Sequence, residues 1–157
     1  ESAAGVVCLC LVAVISQNLR LPSQARMQSQ KDFAWVYRHG VRARGQLILV
    51  VAAERPKDND RSPGFARVGL SVSKKYAKSA VIRNRARRCF RESFRLLRPE
   101  LAAMDYILIP VAEKLHAYSM PEVRAELIRL IPKIDRKWAR KLEQQAARSA
   151  KSDTTTT

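Results

Sequence analysis

The densest chemistry in this chain is cationic. Between Arg67 and Arg98 stand eleven Lys or Arg residues and one acid, Glu92, so this window supplies +10 of a formal net charge of +16. Guanidinium groups fork onto phosphate oxygens, and their attraction to a polyanion is reinforced by released counterions. With an advance of 100° per residue, a helix through Arg83 places Arg85, Arg87, Arg88, Arg91, Arg95 and Arg98 in an arc from about 40° to 200°, with Asn84 in its middle. Ile82, Ala86, Cys89, Phe90, Ser93, Leu96 and Leu97 fill the complementary arc, and Phe94 sits at the boundary. A solvated helix face normally mixes signs to gain i,i+4 pairs, and this one does not. The pattern predicts a helix that buries one side and offers the other to nucleic acid. A membrane-surface helix would need bulky apolar residues for the headgroup region, whereas here the apolar side is required for a core.

Such a helix needs a sheet behind it. Ser79 is a plausible N-cap and Pro99 a stop, giving a central helix that ends at Arg98. The apolar run Gln46 to Ala53 reads as a strand. Arg67 to Ser73 alternates, with Val68, Leu70 and Val72 on a core face and Gly69, Ser71 and Ser73 on a small polar one. Asp105 to Ala112 is a further buried strand, with Pro110 marking an edge or an end. Before the sheet, Ser29 or Asp32 caps a short helix on which Phe33, Val36 and Tyr37 share a face, and Gly40 closes it. After it, Ser119 and Pro121 open a last helix with a stripe from Val123 to Leu142, which Pro132 should bend. The expected class is α+β, a small two-layer sandwich with helices packed on one sheet. Residues 1–18 read as an apolar extension of uncertain order, 19–145 as the domain, and 146–157 as a frayed, disordered polar tail.

Length and composition bound the rest. With 157 residues and 46% apolar content the chain can build one core, and a pI near 10.6 points to a polyanionic partner. The run Gly5 to Ile15 is too short to span a bilayer, and no basic stretch precedes it as a secretory signal would require. Cys8, Cys10 and Cys89 give neither a disulfide framework nor a zinc spacing, which favours a reducing setting such as the cytoplasm. His39 and His116 have no partner at metal or triad spacing, Cys89 lies in the apolar arc, and Glu92 stands alone. No catalytic constellation is visible.

Over Arg67 to Arg95, RVGLSVSKKYAKSAVIRNRARRCFRESFR, the sequence closely resembles the protein component of bacterial ribonuclease P. The family's strand ending in Ser-Lys-Lys corresponds to Ser73, Lys74 and Lys75. Its Arg-Asn-Arg helix corresponds to Arg83, Asn84 and Arg85, followed by Arg87, Arg88, Arg91, Glu92 and Arg95. The similarity extends from about Leu21 to Leu142 through Arg26, Asp32, Phe33, Tyr37, Asp105 and Tyr106.

The resemblance implies α-β-β-β-α-β-α order with a left-handed βαβ crossover, a topology shared with a ribosomal protein domain. It also implies a protein that binds a large catalytic RNA and the 5′ leader of precursor tRNA while the assembly removes that leader. The catalytic-RNA face would be Arg83, Asn84, Arg85, Arg87, Arg88, Arg91 and Arg95. The leader would lie in a cleft between the first helix and the sheet, on Phe33, Tyr37, Ser71, Ser73, Lys74 and Lys75. Periodicity alone favours Phe33 and Tyr37 as a core stripe with Val36, and it is the resemblance that turns them toward the leader. The chemistry would reside in the RNA, with Mg²⁺ held mainly by RNA and no metal or catalytic residue in this chain; the partners would be that RNA and precursor tRNA, with no membrane and no stable protein partner. Where some members carry an aromatic on the long strand this chain has Val50, leaving that stacking contact open; Arg87 stands where Lys is common, and the loop Tyr76 to Ile82 varies in length. Two rivals remain at this point. A ribosomal-type RNA-binding protein shares the composition, and a protein-only nuclease would need a carboxylate cluster or His pair that the sequence lacks.

Overall fold

The computed structural model describes residues 20–56, 64–111 and 119–152. Ser29 caps the first helix, α1 (Gln30–His39), with its hydroxyl accepting from the Lys31 amide at 3.3 Å, and the Gly40 amide closes the other end on the Val36 carbonyl. Two strands follow, β1 (Val41–Arg44) and β2 (Ile48–Ala53), then β3 (Arg67–Leu70). The central helix α2 (Ala80–Leu97) begins just after Ser79 and gives way to a 3₁₀ turn at Arg98–Glu100 that carries Pro99. Strand β4 (Asp105–Pro110) and helix α3 (Met120–Ser152) complete the chain.

The sheet order is β1-β2-β4-β3, antiparallel except for the parallel pair β3–β4, and α2 is the crossover between those two. Order and class are those expected. Strand β1 is absent from the residue pattern: it is four residues of alternating Val, Arg, Ala and Arg, in which only Ala43 is buried. Cationic side chains suit such an edge, because they discourage pairing with another strand. Strand β3 stops at Leu70 rather than Ser73, although the Ser71 amide still donates to Leu108 at 3.0 Å. Pro110 ends β4, and β4 is a central strand rather than an edge.

The main core lies between the sheet and the two long helices. Ile48, Val50, Ala52, Val68, Tyr106 and Leu108 meet Ala86, Phe90, Phe94 and Leu97 of α2 and Val123, Leu127, Leu130 and Ile134 of α3. Phe94, at the boundary of the helical wheel, is fully buried here. So is Val50, which therefore faces the helix layer rather than α1. On that opposite face α1 covers a second, smaller cluster of Met27, Val36, Val51, Ala53 and Ile107. The two-layer core is thus accompanied by a partial cover formed by one short helix.

Helix α3 runs through Pro132 and continues to Ser152, so residues 146–152 are helical where a frayed tail was expected. Leu142, Gln144, Gln145, Ala146, Ala147 and Arg148 are mostly good helix formers, and intrinsic propensity extends the helix beyond its last core contact. The Gly5 to Ile15 run, Cys8, Cys10 and His116 lie outside the described residues.

Candidate nucleic-acid interface

Helix α2 keeps its arginines on one side because Ala86, Phe90, Ser93, Phe94 and Leu97 are taken into the core. Asn84, Arg85 and Arg88 are exposed, while Arg83, Arg87, Arg91 and Arg95 are half-buried at their stems. Long side chains cover apolar surface in this way while their charged ends reach water. One of the seven guanidiniums on this face is paired with a carboxylate: Arg95 Nε donates to Glu92 Oε2 at 2.9 Å. Arg98 instead packs its guanidinium 4.7 Å from the Phe65 ring centroid. Among the described residues, Arg85, Arg88 and Arg91 have neither an ion-pair nor a hydrogen-bond partner.

Arg83 and Arg87 have a second task. Arg83 Nη1 donates to the carbonyls of Ala77 and Lys78, both at 2.7 Å, and Arg87 Nη2 approaches the Val72 carbonyl at 3.4 Å. They clamp the loop between β3 and α2, which carries Ser73, Lys74 and Lys75, all exposed. The Ser73 carbonyl accepts from the Tyr76 amide at 3.2 Å and tightens the turn that presents the two lysines.

The other half of the interface is the α1 face of the sheet, where the three residues expected to share a helix face have separate fates. Val36 is fully buried, Phe33 is half-buried, and Tyr37 is 36% exposed. The Phe33 ring lies against Gly69: a Cβ built there would stand 2.6 Å from Phe33 Cζ and 2.8 Å from Cε1. Glycine is required at this position by close approach. Beyond the ring, Ser71 follows Leu70, the partner of Leu108, so it continues a cross-sheet row with Ile109, Leu49 and Arg44. Ser71, Ile109 and Leu49 are half-buried and Arg44 is exposed. A shallow apolar shelf therefore runs from α1 and the Ser-Lys-Lys loop toward β1. Leu49 and Ile109 are visible in the sequence only as members of buried runs, and register alone assigns them to this face.

What holds α1 over the sheet is a network the sequence concealed. Buried Asp105 accepts from Arg67 Nε at 2.8 Å and Nη2 at 2.5 Å, and from Arg55 Nε at 2.7 Å. Arg67 Nη1 then reaches Asp32 Oδ2 on α1 at 3.3 Å. Hydrogen bonding to Asp105, against the opposing effect of burial, and the charges of Asp105 and Asp32 raise the Arg67 pKa above its ordinary value. Arg55 also donates to the Phe65 carbonyl at 2.6 Å. Trp35 anchors the far side of α1, donating from Nε1 to the Glu54 carbonyl at 3.0 Å while its ring stacks on His39 at a 3.8 Å centroid distance. Asp32 and Asp105 are thus scaffold, and His39 is a packing residue.

Tyr106 is pushed well above the ordinary tyrosine pKa by burial, reinforced by the charge of Asp135, and stays neutral in the core. Among the described residues no group of three or more His, Cys, Asp or Glu is placed to hold a metal ion, and no helix is long and apolar enough to cross a membrane. Asp105 is tied to two arginines.

Residues 21–135 match the ribonuclease P family profile. The chain belongs to the ribonuclease P protein family. It is 36% identical over 115 residues to the ribonuclease P protein component of a Synechococcus species, covering 73% of this chain and 85% of that one. It is also 38% identical over 88 residues to the Bordetella parapertussis component, covering 56% and 71% respectively. The structure resembles that of the Staphylococcus aureus RNase P protein, with a TM-score of 0.58, 25% identity, and coverage of 70% of this chain and 96% of that one. As a ribonuclease P protein component the chain serves in the processing of tRNA 5′ ends as a subunit of a ribonucleoprotein enzyme; a ribosomal-type role without processing is not favoured.

Proposed function

We propose that the protein binds the ribonuclease P RNA through α2 and the single-stranded 5′ leader of precursor tRNA across the α1 face of its sheet. The observation that carries this reading is the pair of unlike cationic surfaces on one rigid sheet. On α2, Arg83, Asn84, Arg85, Arg87, Arg88, Arg91 and Arg95 present donors with one carboxylate among them and no exposed aromatic. Folded RNA offers such a surface its phosphate backbone. On the other face, Phe33 and Tyr37 supply rings for bases, Ser71 and Ser73 leave room for a backbone, and Lys74 and Lys75 supply charge at the end of the row. Single strands are held by that combination of stacking and phosphate contacts.

The protein's share of the reaction is binding and orientation. Its cations reduce repulsion between the RNA subunit and the substrate, and the leader site favours precursor over mature product because only the precursor has a leader to bind. Holding the leader on a fixed surface places the scissile region without further loss of freedom at the moment of cleavage. In this reading the chemistry belongs to the RNA, Mg²⁺ of the holoenzyme is held mainly by RNA, and no residue of this chain is catalytic. Precursor tRNA and the RNA subunit are the partners, with no membrane and no stable protein partner, and the working compartment is the cytoplasm. The test is reconstitution with ribonuclease P RNA at low Mg²⁺. The protein should stimulate cleavage of precursor tRNA and bind precursor more tightly than mature tRNA; equal affinity for the two would remove the leader site.

A further inference from the structure

Helix α3 lies along β1 on the far side of the sheet from β3 and the Ser-Lys-Lys loop. Glu126, near its start, is buried and accepts from the amides of Gln46 and Leu47 in the β1–β2 turn, where Gly45 leaves room for its carboxylate. Three turns on, Lys137 Nζ donates to the Arg42 carbonyl at 2.5 Å, and Lys141 Nζ donates to the His39 carbonyl. These contacts fix which side of α3 meets the sheet. Val123, Leu127, Leu130 and Ile134 point into the core, so the outward side is occupied by Arg129, Lys133, Arg136 and Arg140, all exposed. At 100° per residue the four fall within a sector of about 60°, and they extend about 16 Å along the axis.

This stripe is uncompensated. Glu126 is engaged by backbone amides, and among the described residues no ion pair joins Arg129, Lys133, Arg136 or Arg140 to a carboxylate. Glu122 and Glu143 lie at the two ends of the stripe, and Asp135 projects about 100° away from Arg136 around the helix, outside the sector. Arg42 and Arg44 of β1 are exposed but stand opposite Val51 and Leu49, so they belong to the α1 face of the sheet and not to this stripe. Like charges at i,i+4, as at Arg129 with Lys133 and Arg136 with Arg140, are unfavourable on a helix in water.

We propose that Arg129, Lys133, Arg136 and Arg140 form a second RNA-binding surface, which grips the phosphate backbone of a double-helical segment of the ribonuclease P RNA. It rests on the proposed role of the chain as a subunit bound to that RNA, and it lies apart from α2. Duplex is the occupant because the surface consists of cations without a ring platform: Trp138 is half-buried beneath Lys141, whose Nζ stands 5.3 Å from the indole centroid. Single strands need bases stacked on side chains, whereas a duplex offers phosphates alone at comparable spacing.

The experiment is a salt titration of binding to in vitro transcribed ribonuclease P RNA, using the full chain and the variant Arg129→Gln/Lys133→Gln/Arg136→Gln/Arg140→Gln. Gln preserves helix propensity, and a double variant, Arg136→Gln/Arg140→Gln, provides a milder version. The quadruple variant should lose about three units of slope in log affinity against log salt, the double about half that, with unchanged binding of a single-stranded leader oligonucleotide. Replacing the three arginines with Lys should retain most of the slope. A quadruple variant with the wild-type slope overturns the proposal and leaves these residues as guards of the β1 edge; equal loss for the leader oligonucleotide overturns it in favour of a single-strand site. Arg85→Gln/Arg88→Gln/Arg91→Gln is titrated alongside. If it alone lowers the slope, only the second surface fails; if neither variant does, the underlying reading of the chain as an RNA-bound subunit fails with it.

Discussion

Helix α2 and the α1 face of the sheet carry charge of the same sign and are built by different means. On α2 the working groups project from an element whose opposite side is locked by Phe90 and Phe94, so their positions depend on core packing. On the α1 face the working groups sit on a short helix with one fully buried residue, Val36, held down by the Asp32–Arg67–Asp105 network and by Phe33 against Gly69. Rigidity is intrinsic to the first surface and borrowed by the second. The two should therefore respond differently to the same kind of change.

The largest expected effect removes that borrowed rigidity. Asp105→Ala takes the buried carboxylate from Arg55 and leaves Arg67 with Asp32 alone, and breaking a buried pair in this way costs about 3–5 kcal/mol. Chemical denaturation should show that loss. At temperatures where the variant remains folded, leader discrimination should fall further than affinity for the RNA subunit, because Arg67, which reaches Asp32 on α1, loses its anchor in the sheet while α2 loses nothing. Equal losses on the two faces would break the distinction.

Next in size is the α2 face itself. Arg85→Gln/Arg88→Gln/Arg91→Gln removes three guanidiniums that have no partner in the described structure, so stability should change little. The slope of log affinity for the RNA subunit against log salt should drop by about two to three units. Replacing Arg83 and Arg87 instead should disturb both regions, since these two also hold the carbonyls of Ala77, Lys78 and Val72 behind Lys74 and Lys75. Comparing the two sets separates cations that act only on RNA from cations that also shape the leader end.

The legibility of the molecule follows the range of its interactions. Helices and buried strands were readable because their periodicity is local: α2 begins one residue after its expected cap, and β2 falls inside its apolar run. The arginine face was readable for the same reason. Strand β1 was not, since four residues with two arginines carry no hydrophobic signal, and it exists because β2 supplies a partner in register. The Asp105 network joins residues 38 and 50 positions apart, and Glu126 caps a turn some 80 residues away; neither has a local pattern. Val50 illustrates the remaining difficulty. In a run buried on both faces, alternation gives no phase, and only the register with β4 shows which residues look toward α1.

The aromatic pair tests whether the α1 face stacks bases or merely packs. Tyr37→Leu replaces an exposed ring and should leave folding intact while reducing affinity for leader-bearing precursor by about 1–3 kcal/mol, with mature tRNA unaffected. Phe33→Leu removes a ring lodged against Gly69, so it should lower both stability and precursor affinity. A Tyr37 variant that binds precursor normally would confine the face to packing, leaving Lys74 and Lys75 as its contribution.

The smallest effect sharpens the α2 side. Glu92 is the single acid in the arginine window, and its bond to Arg95 Nε spans three residues on the exposed side of the helix. Such a pair contributes at most about 1 kcal/mol to stability, so Glu92→Gln should scarcely alter the melting temperature. If Arg95 faces RNA as the other arginines do, losing the competing carboxylate should steepen the salt dependence of RNA-subunit binding by somewhat less than one unit. If Glu92 instead holds Arg95 in its binding orientation, affinity should fall while the slope remains unchanged. A single titration therefore distinguishes neutralisation from positioning at the one point where this face carries a negative charge.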